Sequence, residues 1–77
     1  MLLYNWFGDY VKKLKKVRKK YGYSCSDMAN FIGISKPFYW QLENKKRNLS
    51  YKLAFDISKV FGLRPDDLFY DEYKKAD

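Results

Sequence analysis

The residues best suited to chemistry in this chain are cations, and they fall in two groups. Lys12, Lys13, Lys15, Lys16, Arg18, Lys19 and Lys20 form the first; Lys36, Lys45, Lys46, Arg47 and Lys52 form the second. Residues 1–52 hold twelve bases and three acids, whereas residues 53–77 hold four bases and six acids. An asymmetry of this kind fits one surface that faces an anion. The first group reads equally well as the solvated face of a helix. The second lies beside what reads as a short loop, where contact with phosphate is the better reading.

What the sequence lacks narrows the chemistry. Without histidine there is no common general base, no catalytic triad and little scope for a zinc site. One cysteine, Cys25, cannot close an internal disulfide, so nothing points to a secreted scaffold. Neither a membrane span nor a signal-peptide core is expected, because no apolar stretch is long enough. The carboxylates are scattered or sit where helix caps belong, and neither a glycine-rich phosphate loop nor a nucleophile beside a base occurs. The expectation is a cytoplasmic binding domain, not an enzyme, with no cofactor and no metal.

The elements that must position the cations are helical. From Phe7 to Tyr21 apolar residues recur at 7, 10, 11, 14, 17 and 21, the stripe of an amphipathic helix, and Gly22 ends it. Ser24 then reads as an N-cap with Asp27 completing a capping box, and Tyr23 and Met28 are spaced as a hydrophobic staple. This second helix stops at Gly33. Ser35 caps a third that runs to about Asn44, with Pro37 tolerated in its first turn. Ser50 opens a fourth, with Leu53, Ala54, Ile57, Val60 and Phe61 inward and Gly62 at its end. Pro65, Asp66 and Asp67 open a fifth, the acids matching the positive end of its dipole.

With 77 residues, 47% of them hydrophobic and 21% aromatic, the chain forms one thin-cored domain whose rings reach the core boundary. The fold class is all-α with five helices. Positions 1–6 are an N-terminal extension, 24–44 a helix-turn-helix and 70–77 a C-terminal tail. At the centre are two short helices joined by a tight turn. Ala29 is small enough for a steep crossing, Gly33 tolerates a left-handed backbone, and Met28, Ile32, Ile34, Tyr39 and Leu42 can share one core.

Ser24 through Asn44 resembles the helix-turn-helix of the phage repressor and Cro (Xre-like) DNA-binding family. The resemblance extends from about Leu14 to Phe69, through Val17-Arg18, Met28-Ala29, Gly33-Ile34-Ser35, Leu42-Glu43-Asn44, Phe61-Gly62-Leu63 and Asp67-Leu68-Phe69. It implies a lambda-repressor-like fold and binding of double-stranded operator DNA, usually as a homodimer on an inverted repeat. The third helix is then the recognition helix in the major groove, with Lys36, Pro37, Phe38 and Gln41 at its base-facing positions. Lys36 can donate to guanine, Gln41 can pair with adenine, and Phe38 can rest on a thymine methyl or, nearly as well, join the aromatic boundary of the core or a dimer contact. Trp40 is expected to point sideways.

The same resemblance assigns Asn44, Lys46 and Arg47 to a phosphate-clamping turn, and Ser24 and Cys25 to a phosphate site at the start of the second helix. It pairs Arg18 with Glu43 as a buried ion pair. Lys45 departs from the family's frequent glycine and Cys25 from its frequent glutamine; a redox role for Cys25 is the lesser reading. The chain is expected to lack the C-terminal oligomerisation or self-cleavage domain of longer repressors. A dimer contact is therefore expected within this domain, through Met1–Trp6 or Tyr70–Tyr73. The leading reading is a repressor-like or Cro-like regulator from a phage or mobile element, acting in the bacterial cytoplasm or nucleoid. The alternative is a protein-binding adaptor on the same fold, an antitoxin or inhibitor gripping a toxin or antirepressor through Phe38, Tyr39 and Trp40. A polyanion- or membrane-surface protein ranks third.

Overall fold

The computed structural model describes the backbone of residues 11–76 and the side chains of residues 11–70. Five helices occupy it, and no strand occurs among the described residues: α1 (Lys12–Lys20), α2 (Cys25–Ile32), α3 (Lys36–Glu43), α4 (Tyr51–Val60) and α5 (Pro65–Ala76). Phe7 and Tyr10 of the first apolar stripe, the Met1–Trp6 surface and the side chain of Tyr73 lie outside the described residues. Tyr21, the last residue of that stripe, does not face the core. It is the C-cap of α1, half exposed, and sets its ring edge against Phe61 at 4.9 Å.

The helix starts follow from local chemistry. Ser24 Oγ accepts from the Asp27 N–H while Asp27 Oδ2 accepts from the Ser24 N–H, so two first-turn donors are satisfied reciprocally. Ser35 and Ser50 each accept from the N–H three residues on. Asp67 reaches back to the Arg64 N–H at the start of α5. The ends are equally regular. Helices α1, α3 and α4 close with paired bonds from the two residues after the cap, as in Tyr23 N–H to Arg18 O and Leu63 N–H to Ser58 O. At the α2–α3 turn Gly33 has φ +78°, and a Cβ there would meet nothing within 4 Å, so the backbone conformation alone calls for glycine.

These ends let α2 pack against both α3 and α4, α4 against α5, and α5 against α1. The core between them is Val11, Leu14, Met28, Ala29, Tyr39, Leu42, Ala54, Ile57, Phe61, Leu68 and Phe69, with Ile32 and Ile34 half-buried against it. Rings widen this thin interior at its rim: Tyr23 meets the edge of Phe31 at 4.9 Å and stacks on Phe61. The framework presents α3 on the surface with one side fixed to the core and the other open.

Candidate nucleic-acid interface

The inner side of α3 is held by a buried polar network. Arg18 on α1 donates Nε–H to Glu43 Oε2 at 2.8 Å and Nη2–H to Glu43 Oε1 at 2.9 Å, a two-bond fork, and Nη1–H to the Tyr23 carbonyl at 2.9 Å. Tyr39 donates its hydroxyl to the same Glu43 Oε2 at 3.0 Å. The Val11 N–H reaches the Glu43 carbonyl at 2.8 Å, so the start of α1 is also tied to the end of α3. The hydrogen bond to Glu43 raises the Arg18 pKa above its ordinary value despite burial. Burial beside Glu43 pushes the Tyr39 phenol far above the usual tyrosine range. Such a network is better at fixing orientation than at adding net stability. It fixes the inner side of a helix whose outer face is exposed.

That outer face is set by helical spacing. At about 100° per residue, Pro37, Trp40, Gln41 and Asn44 lie opposite buried Tyr39 and Leu42, with Lys36 and Phe38 on either flank. Trp40 is 47% exposed on this face, closer to its middle than Lys36 is. Beyond the helix the chain turns back. Arg47 donates Nε–H to Gln41 Oε1 at 3.0 Å and lays its guanidinium over the Phe38 ring, 4.8 Å from the centroid. Phe38 in turn packs against the core. Arg47, assigned to phosphate, therefore touches two residues assigned to bases.

The turn that returns Arg47 depends on Lys45. The Lys46 N–H bonds to the Gln41 carbonyl at 2.7 Å and the Lys45 N–H to Leu42 O at 3.3 Å, the arrangement that Gly22 and Gly62 make elsewhere. Lys45 adopts it at φ +58°, the sole positive φ of a non-glycine residue among those described. The lysine thus keeps the turn geometry that glycine gives at positions 22 and 62. Asn44 closes the same end, donating its Nδ2–H to the Trp40 carbonyl at 2.9 Å.

Residues 14–68, which include Arg18, Tyr39, Gln41, Glu43 and Arg47, match the family model described as Helix-turn-helix. The chain belongs to the helix-turn-helix family. Its relatives carry the same description. An uncharacterised HTH-type transcriptional regulator of Archaeoglobus fulgidus is 35% identical over 57 residues, covering 74% of this chain and 81% of its own length. One from Methanocaldococcus jannaschii is 37% identical over 60 residues, 78% of this chain and 91% of its own. An SPbeta prophage-derived uncharacterised HTH-type transcriptional regulator of Bacillus subtilis is 32% identical over 71 residues, 92% of this chain and 63% of its own. No solved structure matches the chain significantly. Membership makes the chain a helix-turn-helix DNA-binding regulator with the lambda-repressor-like fold, a class that is not enzymatic.

Within this helix-turn-helix protein the second phosphate position is mixed in character. First-turn N–H groups of α2 lack helical partners, which suits an anion, but the Asp27 carboxylate of the capping box sits in the same turn. Cys25 is half-buried, and burial pushes its thiol up in pKa against the pull of Arg18. A thiol held protonated is a poor redox sensor. Tyr39 is fully buried, so it cannot grip a partner as the adaptor reading requires; its ring fills the space beneath α3 and its hydroxyl is bonded to Glu43. Among the described residues no cluster could hold a metal ion, and no helix is long and apolar enough to cross a membrane. The Arg47 contacts were missed at the sequence level. The signal available was the turn after α3, which brings a residue six positions on back beside Gln41.

Proposed function

We propose that this protein binds double-stranded operator DNA sequence-specifically, as a small repressor- or Cro-like transcriptional regulator, with two copies on an inverted repeat. In this reading α3 enters the major groove, with Lys36, Pro37, Phe38 and Gln41 toward base edges. Lys46 and Arg47 approach phosphates from the following turn, joined by Asn44 and by Ser24 and Cys25 at the start of α2. The observation that carries it is the pairing of a fixed inner side with an open outer one. Arg18, Glu43 and Tyr39 hold α3 to the core, while Lys36, Gln41, Lys46 and Arg47 give its outer side and turn hydrogen-bond donors and positive charge. The names of the relatives, all HTH-type transcriptional regulators, support the same role.

Selection of binding sites from a random duplex pool tests this, followed by titration of the enriched site at several salt concentrations. An inverted repeat with half-sites about one helical turn apart is the expected product. Affinity that falls with salt but enriches no sequence would leave only phosphate attraction and remove α3 as a reader. Gln41→Ala should lower affinity for the preferred site by about 1–3 kcal/mol and relax preference at one position.

A further inference from the structure

Resting on the proposed placement of α3 in the major groove, we infer that Arg47 selects which base Gln41 reads, and that the base is guanine instead of adenine. Arginine has donors and no acceptor, so the Gln41 amide atom facing Arg47 Nε at 3.0 Å is necessarily the oxygen. The orientation of this amide, ambiguous for most glutamines, is thereby set by chemistry. Its NH₂ group, with two hydrogens, is the end that Arg47 leaves uncommitted.

Pairing with adenine needs both ends of the amide on one base edge, the oxygen accepting from N6 and the nitrogen donating to N7. Guanine presents two acceptors, N7 and O6, and asks only for donors. With one lone pair of the oxygen already taken by Arg47, an NH₂ beside a guanidinium matches the donor-seeking edge of guanine better than the mixed edge of adenine. Arg47 is also constrained more than an ordinary exposed arginine. It is held at one point by Gln41 and at another by the Phe38 ring, 4.8 Å away, and the backbone beneath it is closed by the Lys46 N–H to Gln41 carbonyl bond. Arg47 is therefore a positioning residue for base choice as well as a positive charge near phosphate.

The test is site selection with the wild type, Gln41→Ala, Arg47→Ala and Gln41→Glu at one low salt concentration. Circular-dichroism melts confirm that each variant is folded. The position read by Gln41 is the one whose preference vanishes in Gln41→Ala. There the wild type should favour guanine over adenine by about five-fold or more. Arg47→Ala should bring that ratio below about two-fold or reverse it, leaving other positions unchanged. Gln41→Glu keeps an acceptor for Arg47 but has no hydrogen to offer, so guanine should be lost and cytosine, whose N4 donates, gained. Adenine at this position in the wild type, or guanine retained in Arg47→Ala with all sites weakened alike, would overturn the inference while leaving an enriched operator. Absence of any enriched sequence would remove the underlying reading and this inference together.

Discussion

Two arginines reach α3 from opposite sides, and their surroundings differ in almost every respect. Arg18 is 8% exposed, makes a fork with a carboxylate, and has a carbonyl for its remaining nitrogen. Arg47 is exposed, donates to a neutral amide and covers a ring. Removing either partner of the inner pair strands a charge out of water, which is expensive; loosening the outer one returns a side chain to solvent, which is not. The inner arginine therefore governs whether α3 is held, and the outer one what α3 presents. One helix can carry both tasks because its Tyr39–Leu42–Glu43 side and its Pro37–Gln41 side share no residue.

The sharpest way to break this contrast is Glu43→Ala. It leaves Arg18 with only the Tyr23 carbonyl and should destabilise the protein by about 3–5 kcal/mol in urea or thermal unfolding. A loss as small as that of a surface substitution would erase the distinction. Tyr39→Phe comes next. It removes a hydrogen bond to a charged acceptor and should lower stability by about 1.5–3 kcal/mol near neutral pH. The folded phenol has a raised pKa, so above about pH 10 the unfolded chain loses this proton while the folded chain keeps it. Wild-type stability therefore falls there through a component that the variant lacks, and the gap between them should narrow. A gap independent of pH would contradict the buried placement of the hydroxyl. Smallest of all, Arg47→Ala should change unfolding stability by less than about 0.5 kcal/mol. Its effect belongs to binding, where the salt dependence should flatten by about one unit.

The parts of the fold legible in the sequence were those decided within a few residues. Ser24 with Asp27, Ser35, Ser50 and the glycines at 22, 33 and 62 satisfy or redirect nearby backbone groups, so residue type and spacing identify helix ends without knowledge of the fold. Core faces followed from period, although the exposed Tyr21 shows that a stripe stops being informative at the cap. The candidate site was legible unevenly. Which residues lie on α3 followed from its caps. The contact of Arg47 with Gln41 and Phe38, the third bond to Glu43 from Tyr39, and the Tyr21–Tyr23–Phe31–Phe61 rings depend on where separate turns bring the chain. The resemblance assigns Arg47 one role, and its neighbours support a second.

Lys45 carries a consequence for anyone who would engineer this protein. A left-handed backbone at a residue with a side chain is unfavourable by about 1–2 kcal/mol, and the identical turns at Gly22 and Gly62 avoid it. Lys45→Gly should accordingly raise the melting temperature, which makes it an obvious choice for thermostabilisation. The same change deletes a cation one residue from Lys46 and two from Arg47, and it loosens the turn that aims them. Optimising this position for robustness would trade away performance on DNA, so the sturdier protein should be the poorer regulator.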